Sequence, residues 1–170
     1  MPNRMDSMLS HGMGKLKAAK ARLSGLVGVF KTLAEQHGEV TALLERAKTS
    51  DEKFTQLWPT IRRELLSHEK AEMRELYPLL RANASTSALA DQHDAEAREI
   101  EELISAVDQA AIASPERRAL FQRLIDRVQK HAREEETQIF PKAQEAMGKD
   151  RAIRLEQSFL AAKDLIAKTL

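Results

Sequence analysis

The stretch HEKAEMRELYP, residues 68–78, recurs in outline as HAREEETQIFP at residues 131–141. Each copy begins with a histidine, carries a glutamate four residues later, and reaches an aromatic residue followed by proline nine residues after the histidine. Upstream, LAEQH at residues 33–37 is matched by LADQH at residues 89–93. Four of the five histidines therefore occupy equivalent places in two copies of one pattern. The repeat predicts two helical hairpins in tandem, which together form a bundle with approximate twofold symmetry.

The composition indicates a helical protein of one domain. The chain has 170 residues with six glycines, five prolines and 4% aromatic residues, and residues that favour helices dominate it. The absence of cysteine excludes disulfides, thiolate chemistry and zinc fingers, so any metal site would use histidine and carboxylate. It also suits a reducing compartment, and we expect a cytoplasmic protein. We find no signal-peptide pattern and no apolar run long enough to span a bilayer.

The fold class predicted from these patterns is all-α. An apolar seam at heptad spacing from Leu16 to Leu44 predicts one long helix over residues 14–48. Capping and proline signals then predict a second helix from Thr49–Glu52 to Tyr77-Pro78, a polar loop at 83–87, a third helix, a fourth from Ser114-Pro115 to Phe140-Pro141, and a fifth over 150–168. We expect a flexible arm at residues 1–13, an up-down-up-down four-helix bundle at residues 14–148, and a C-terminal amphipathic helix at residues 149–170 packed on the bundle.

Pro59 lies inside the second predicted helix, where proline removes a hydrogen bond and strains the preceding turn. His37 precedes Ala47 by 10 residues, about 15 Å of helix, whereas His68 follows Asp51 by 17 residues, about 25 Å. If the helix ends lie level, residues 51–58 should leave the helix axis as a separate turn or kinked segment. Trp58 would then pack over the end of the bundle.

Positions four apart lie on one face of a helix, so each HxxxE motif offers a nitrogen and a carboxylate to the same point in the core. The first histidine of each hairpin adds one more nitrogen. Glutamates buried among neutral imidazoles need a cation, and two divalent ions would supply the charge. Iron or manganese suits these ligands, and zinc would also be accepted. The predicted ligands are His37, His68, Glu72, His93, His131 and Glu135, with both glutamates bridging and two histidines on each ion.

Single residues of the pattern are open to other interpretations. A lone inward histidine is ordinarily a hydrogen-bonded core residue, and a lone HxxxE often lies on a solvated face. The duplicated pattern favours the metal site. Glu69 and Glu96 are second-rank ligand candidates, and Glu134 and Glu136 are predicted to be solvated. His11 is expected to be exposed, and Trp58 to be a packing residue.

The ordered pattern H…HxxxE…H…HxxxE resembles the hemerythrin-like HHE cation-binding domain over roughly residues 30–145. The resemblance implies a non-haem centre of two iron ions with a bridging oxo or hydroxo group, and dioxygen, nitric oxide or peroxide as its small-molecule partner. Oxygen-carrying hemerythrins have a further histidine where this chain has Ala97. That departure favours sensing, iron handling or redox defence over reversible oxygen carriage. If the protein is an enzyme, a peroxidase-like, catalase-like or oxidase activity is expected.

The charge distribution supports an alternative function. Residues 1–31 carry six basic residues and one acidic residue, while the whole chain has a net charge of +1. A basic N-terminal arm could dock on a partner or a membrane surface. The alternative is therefore a non-catalytic, metal-responsive regulatory or interaction module. We expect no nucleic-acid partner and no transmembrane segment, and a homodimer is compatible with the sequence.

Overall fold

A computed structural model describes residues 4–170, and every regular element in that range is helical. The helices are α1 (Arg4–Leu23), α2 (Val29–Ala47), α3 (Asp51–Glu75), α4 (Tyr77–Arg81), α5 (Ser87–Gln109), α6 (Pro115–Glu134), a π-helical segment (Glu135–Ile139), α7 (Phe140–Met147) and α8 (Lys149–Ala167). The predicted all-α helical bundle is confirmed.

Serine caps begin two of the long helices, at Ser114 as predicted and at Ser50, one residue after the predicted cap Thr49. The Ser50 side chain accepts a hydrogen bond from the Lys53 amide at the start of α3. Ser114 does the same for the Arg117 amide at the start of α6, whose first residue is Pro115. Each cap satisfies an amide that has no partner within its own helix, and the proline occupies a position where no amide hydrogen is needed.

The bundle core consists of two apolar clusters. One contains Phe30, Leu33, Leu76 and Phe140, and the other contains Leu44, Leu57, Ile61, Ile100 and Leu124. Helices α2 and α5 run from the first cluster to the second, whereas α3 and α6 run from the second to the first. Helices α2, α3, α5 and α6, the four long helices of the bundle, therefore alternate in direction. This arrangement places the middle of each of them between the clusters.

The predicted single helix over residues 14–48 is wrong. The chain breaks at residues 24–28, where Gly25 and Gly28 have φ values of 80° and 53°, a conformation that favours glycine. Helix α1 consequently folds back along α2, and the Ser10 hydroxyl donates to the Glu39 carbonyl. Leu23 is 90% exposed, because the reversal of the chain takes it away from the core face that the seam in the sequence assigned to it. Residues 4–13, predicted as a flexible arm, belong to α1, and residues 1–3 lie outside the described range.

The prediction that residues 51–58 leave the axis of the second helix is also wrong, because α3 runs without interruption from Asp51 to Glu75. The end of α2 at Ala47 is not level with the start of α3. Asp51 instead lies beside the start of α6, where it pairs with Arg117 and Arg118. Helices α3 and α6 thus begin at the same level along the bundle axis, and α2 ends short of that level.

Local packing explains why α3 tolerates Pro59. The indole of Trp58 is buried, stacks on Phe54 and donates to Asp108 at 2.7 Å. Apolar residues on either side, such as Leu57 and Ile61, are fully buried. Their burial offsets the roughly 3 kcal/mol that a proline inside a helix costs. Trp58 is a packing residue, as predicted.

The fourth helix also differs from the prediction, because α6 ends at Glu134 and a π-helical segment follows before α7. The wider turn begins at Glu135, one of the predicted ligands. Single π-turns of this kind occur often at functional sites. Helix α8 packs on α2 and α3, and its Lys163 pairs with Glu64 at 2.7 Å. Within residues 4–170, no helix combines the length and apolar character that crossing a membrane requires.

A close approach between Gly14 and Gly38 holds α1 against α2, and it yields a test. A Cβ on Gly38 would lie 2.6 Å from the Met13 carbonyl oxygen and 2.9 Å from the Gly14 Cα. Gly38→Ala should lower the free energy of unfolding by about 1–3 kcal/mol, because this overpacking outweighs the gain of about 1 kcal/mol in helix propensity.

The matched control is Gly12→Ala on α1, where an added Cβ meets no described atom within 4 Å. This variant should be as stable as the wild type or up to about 1 kcal/mol more stable. Urea denaturation followed by circular dichroism measures both variants. Equal stabilisation by the two substitutions would contradict the close helix contact.

Candidate metal centre

Each of the four long helices contributes one histidine to a polar layer between the two apolar clusters. His37 lies on α2, His68 on α3, His93 on α5 and His131 on α6, and all four are buried. Along α2, for example, His37 follows Leu33 of one cluster and precedes Leu44 of the other. The two apolar clusters close the layer from both ends of the bundle.

Hydrogen bonds at Nδ1 orient three of the imidazoles. The Nδ1 of His37 lies 3.0 Å from Glu136 Oε1, that of His68 lies 2.9 Å from Gln36 Oε1, and that of His131 lies 2.9 Å from Glu96 Oε2. Because each oxygen can only accept, the Nδ1 must carry the hydrogen. In a neutral ring the Nε2 lone pair then faces the layer, which is the arrangement seen for metal-binding histidines.

The inner atoms of the layer lie close together. His37 Nε2 is 3.2 Å from His68 Nε2 and 3.2 Å from Glu135 Oε2. Glu135 also lies 3.4 Å from His93 Nε2 and 3.5 Å from His131 Nε2. This carboxylate therefore contacts histidines from both hairpins.

Glu72 occupies the equivalent position in the first hairpin. Its Oε2 lies 3.5 Å from His68 Nε2 and 3.7 Å from His93 Nε2. Glu69 reaches only one side of the layer, at 3.6 Å from His93 Nε2 and 3.3 Å from His131 Nε2. The donors thus form two groups, Glu69–Glu72–His93–His131 and His37–His68–Glu135, and within each group the ligand atoms lie within 4.8 Å of one another.

Several buried atoms of this layer lack a hydrogen-bond partner among residues 4–170. They are Glu69 Oε2, both oxygens of Glu72, Glu135 Oε2, both ring nitrogens of His93, and His131 Nε2. Within the same range, the ion pairs of the three glutamates involve only histidine. Buried polar atoms without partners are costly, so the donor set fits a cation bound at its centre.

Without a metal, protons must balance the charge. Burial, reinforced by the charges of Glu135 and Glu69, raises the pKa of Glu72 well above its usual range. Burial opposes protonation of His131, but the carboxylates of Glu135 and Glu69 outweigh it and raise the pKa of this imidazole. At His68 burial prevails, together with the charge of His37, and the pKa falls well below its usual range. One site thus holds groups with opposite shifts, as is common at functional sites.

The aromatic residues of the repeat stack on histidines of the opposite hairpin. The ring centroids of Tyr77 and His93 lie 3.5 Å apart, and those of Phe140 and His37 lie 5.9 Å apart. Tyr77 and Phe140 differ by one hydroxyl group. The Tyr77 hydroxyl donates a hydrogen bond to Glu135 Oε1 at 2.6 Å. Phe140 has no hydroxyl to offer Glu72. Glu135 is therefore held in place by a hydrogen bond, and Glu72 is not.

The structure brings all six predicted ligand residues into one layer and adds Glu69 to them. Glu96 bonds to the outer nitrogen of His131, which makes it an orienting residue rather than an inner donor. Glu136 was predicted to be solvated, but it bonds to His37 and to Lys17 of α1. His11 is exposed, as expected. Gln36 and Tyr77 were missed as partners of the site, although both belong to the repeat.

The raised pKa of Glu72 generates a prediction for the metal-free protein. The protonated carboxyl of Glu72 contributes fully to the stability of the metal-free fold below pH 4.5, its usual pKa. That contribution is lost as the pH rises through the higher pKa of Glu72 in the folded state. Glu72→Gln cannot ionise, so its melting temperature should exceed that of the metal-free wild type at pH 8. The difference should shrink as the pH falls towards 4.5.

Thermal denaturation in the presence of a chelator, at several pH values, measures this difference. Glu52→Gln, at an exposed position of the same helix, is the control and should show no such trend. A Glu72→Gln protein that is less stable than the wild type at pH 8 would contradict the assignment of an uncompensated buried carboxylate.

Comparison with known proteins agrees with this geometry. The family model described as "Hemerythrin HHE cation binding domain" matches residues 29–143, about two thirds of the chain. A curated protein of Nostoc sp. (strain PCC 7120 / SAG 25.82 / UTEX 2576) named "DNA nickase" is 24% identical over 172 aligned positions, which cover 92% of this chain and 49% of the relative. The chain thus spans about half the length of that relative. No solved structure gave a significant match.

Proposed function

The chain belongs to the hemerythrin HHE cation-binding domain family, and on that premise we propose that it holds two iron ions and reacts with a small oxidant: dioxygen, nitric oxide or peroxide. The biological role would be sensing, iron handling or redox defence. The observation that supports the proposal most strongly is the set of buried nitrogen and oxygen atoms that converge without hydrogen-bond partners among the described residues.

The two groups of donors support an unequal pair of ions. One ion would be held by His37 and His68, and the other by His93, His131 and Glu69. Glu72 and Glu135 contact both groups and would bridge them. This differs from the equal division expected from the sequence, because Glu69 adds a ligand on one side only. The ion at His37 and His68 would then be the more open to a small ligand.

The charges are also compatible with two divalent ions. Glu69, Glu72 and Glu135 contribute three negative charges, and the four imidazoles are neutral when they coordinate through Nε2. Two divalent ions and one hydroxide would make the layer neutral. Oxygen and nitrogen donors with a position left open suit iron or manganese better than a closed structural zinc site.

The protein's own residues would set the conditions for the reaction. Ferrous iron, when bound, would supply the electrons that reduce the oxidant. Glu136, Gln36 and Glu96 hold the imidazoles in their orientation through Nδ1. The Tyr77 hydroxyl fixes Glu135, so that Glu72 would be the carboxylate free to shift when a ligand binds. The apolar clusters on both sides limit access of water.

The reaction can be tested with protein loaded anaerobically with ferrous iron. Adding air or one equivalent of hydrogen peroxide should oxidise the iron within the protein, and near-ultraviolet absorption should appear while iron stays bound after desalting. Retained ferrous iron with no spectral change would contradict an oxidant-reactive centre. That outcome would favour the non-catalytic, metal-responsive module instead.

The bridging role of the glutamates can be tested separately by metal analysis. Glu72→Gln and Glu135→Gln should each retain at most one ion per chain, since a bridging carboxylate holds both ions and balances their charge. Glu69→Gln is the matched control, because Glu69 contacts histidines of one group only. It should keep the ion at His37 and His68. Two ions retained in Glu72→Gln would contradict bridging by this residue.

The name of the Nostoc relative raises a second candidate function, metal-dependent cleavage of one DNA strand. Two metal ions can support hydrolysis of phosphodiesters, and α1 carries the basic residues Lys15, Lys20 and Arg22 at exposed positions. However, the donor layer is buried, whereas a backbone phosphate needs an open site. We expect the loaded protein to leave supercoiled plasmid intact. Nicking that disappears in Glu72→Gln would establish this second function instead.

A further inference from the structure

A cavity of about 220 Å³ opens on one side of the donor layer. His37, His68, Glu69 and His131 line its inner end. Aliphatic side chains form part of its walls, together with the polar residues Gln36, Glu39, Thr60 and Glu64, and residues of α1 and α8 lie at its mouth. The aliphatic residues are Val40, Leu43, Leu65, Val128 and Ala132, and the residues at the mouth include Ser7, Ser10, His11 and Lys163.

The helices at the mouth lie outside the part of the chain that the family model covers, residues 29–143. Helix α1 is held there by the Gly14–Gly38 contact and by the bond from Ser10 to Glu39. Lys17 links the same helix to Glu136, which in turn bonds to His37. The cavity is thus lined mainly by α2, α3 and α6, is bounded at its mouth by this chain's additional helices, and adjoins the donor layer.

The cavity is larger than a diatomic gas or hydrogen peroxide requires. One water molecule occupies about 30 Å³ in the liquid, and a cavity of about 150 Å³ lined by apolar side chains can hold benzene. A volume of about 220 Å³ therefore has room for an organic molecule of about six to ten non-hydrogen atoms.

The charged groups around the cavity do not favour an ionic ligand. Lys163 pairs with Glu64 at 2.7 Å, so its charge is already balanced. His11 Nδ1 bonds to the Ser7 carbonyl at 2.8 Å. Aliphatic walls with polar donors at the inner end suit an uncharged molecule that carries one polar group.

We propose that this cavity binds a small, uncharged organic molecule, mainly apolar, with a single hydroxyl or hydroperoxyl group directed towards the His37–His68 end. The inference deepens the proposed function, on which it rests for the nature of the neighbouring centre, by naming an organic rather than a purely inorganic ligand. Binding itself depends on the cavity walls and does not require the metal.

The test uses the full chain, both metal-free and loaded with zinc as a diamagnetic ion, and follows methyl NMR signals. The probes are 2-phenyl-2-propanol and benzoate, which are similar in size and differ in charge. The alcohol should shift the methyl signals of Val40, Leu43, Leu65 and Val128 saturably, and benzoate should bind at least tenfold more weakly.

Leu43→Trp should fill the cavity and weaken binding of the alcohol at least tenfold, while Leu160→Trp, at an exposed position on α8 away from the cavity, should not. Val40→Phe serves the same purpose if Leu43→Trp does not fold. The proposal is overturned if the alcohol does not bind, if benzoate binds equally well, or if the filled variants bind normally. Alcohol binding in a protein that takes up no metal would overturn the proposed function and leave this inference standing.

Discussion

The burial of three carboxylates at the centre of the bundle is the constraint on which the rest of the structure depends. Glu69, Glu72 and Glu135 are at most 3% exposed, and their ion pairs within residues 4–170 involve only histidine. Placing even one uncompensated charge in such surroundings costs several kcal/mol, by order of magnitude. A cation between the histidines would remove that cost, and the two apolar clusters close the layer at both ends of the bundle. Stability and metal binding are thus coupled in one layer of side chains.

The helices outside the matched region are connected to that layer by specific contacts. Lys17 of α1 bonds to Glu136, which bonds to His37, and the Phe159 ring of α8 packs edge-on against the His68 ring at 6.1 Å. Both contacts involve the histidines of the more open group. Movements of α1 or α8 would therefore act first on His37 and His68, on the side of the centre where we expect a small ligand. The repeat gives the bundle approximate twofold symmetry. These contacts, together with Glu69 and the Tyr77 hydroxyl, make the layer of histidines and glutamates asymmetric.

Much of the fold and the site could be predicted from the sequence because both depend on periodic patterns. The repeat of LAxQH and HxxxE motifs placed a histidine on each of α2, α3, α5 and α6, and Ser114 marked the start of α6. The capping box predicted at Thr49 was one residue early, because Ser50 caps α3. The break at residues 24–28 was missed because the apolar seam continues through it, although Gly25 and Gly28 mark the turn. The course of residues 51–58 was misjudged because the end of α2 does not lie level with the start of α3.

The partners of the site were harder to predict than its inner residues. Glu69 and Glu72 are three residues apart on one helix face, so the spacing allowed Glu69 as a ligand. Many surface glutamates have the same spacing, and it did not single out this one. The contact between Glu136 and Lys17 joins residues 119 positions apart, and it exists only because α1 folds back. Likewise, the bond from Tyr77 to Glu135 joins the two hairpins, and no spacing within either hairpin specifies it.

The central claim is that this layer holds two metal ions. X-ray diffraction from crystals of anaerobically iron-loaded protein, with data collected on both sides of the iron absorption edge, tests it most directly. The account predicts two anomalous peaks in the layer, one beside His37 and His68 and the other beside His93, His131 and Glu69, with Glu72 and Glu135 between them. A single peak, or iron bound elsewhere with the layer unchanged, would contradict it.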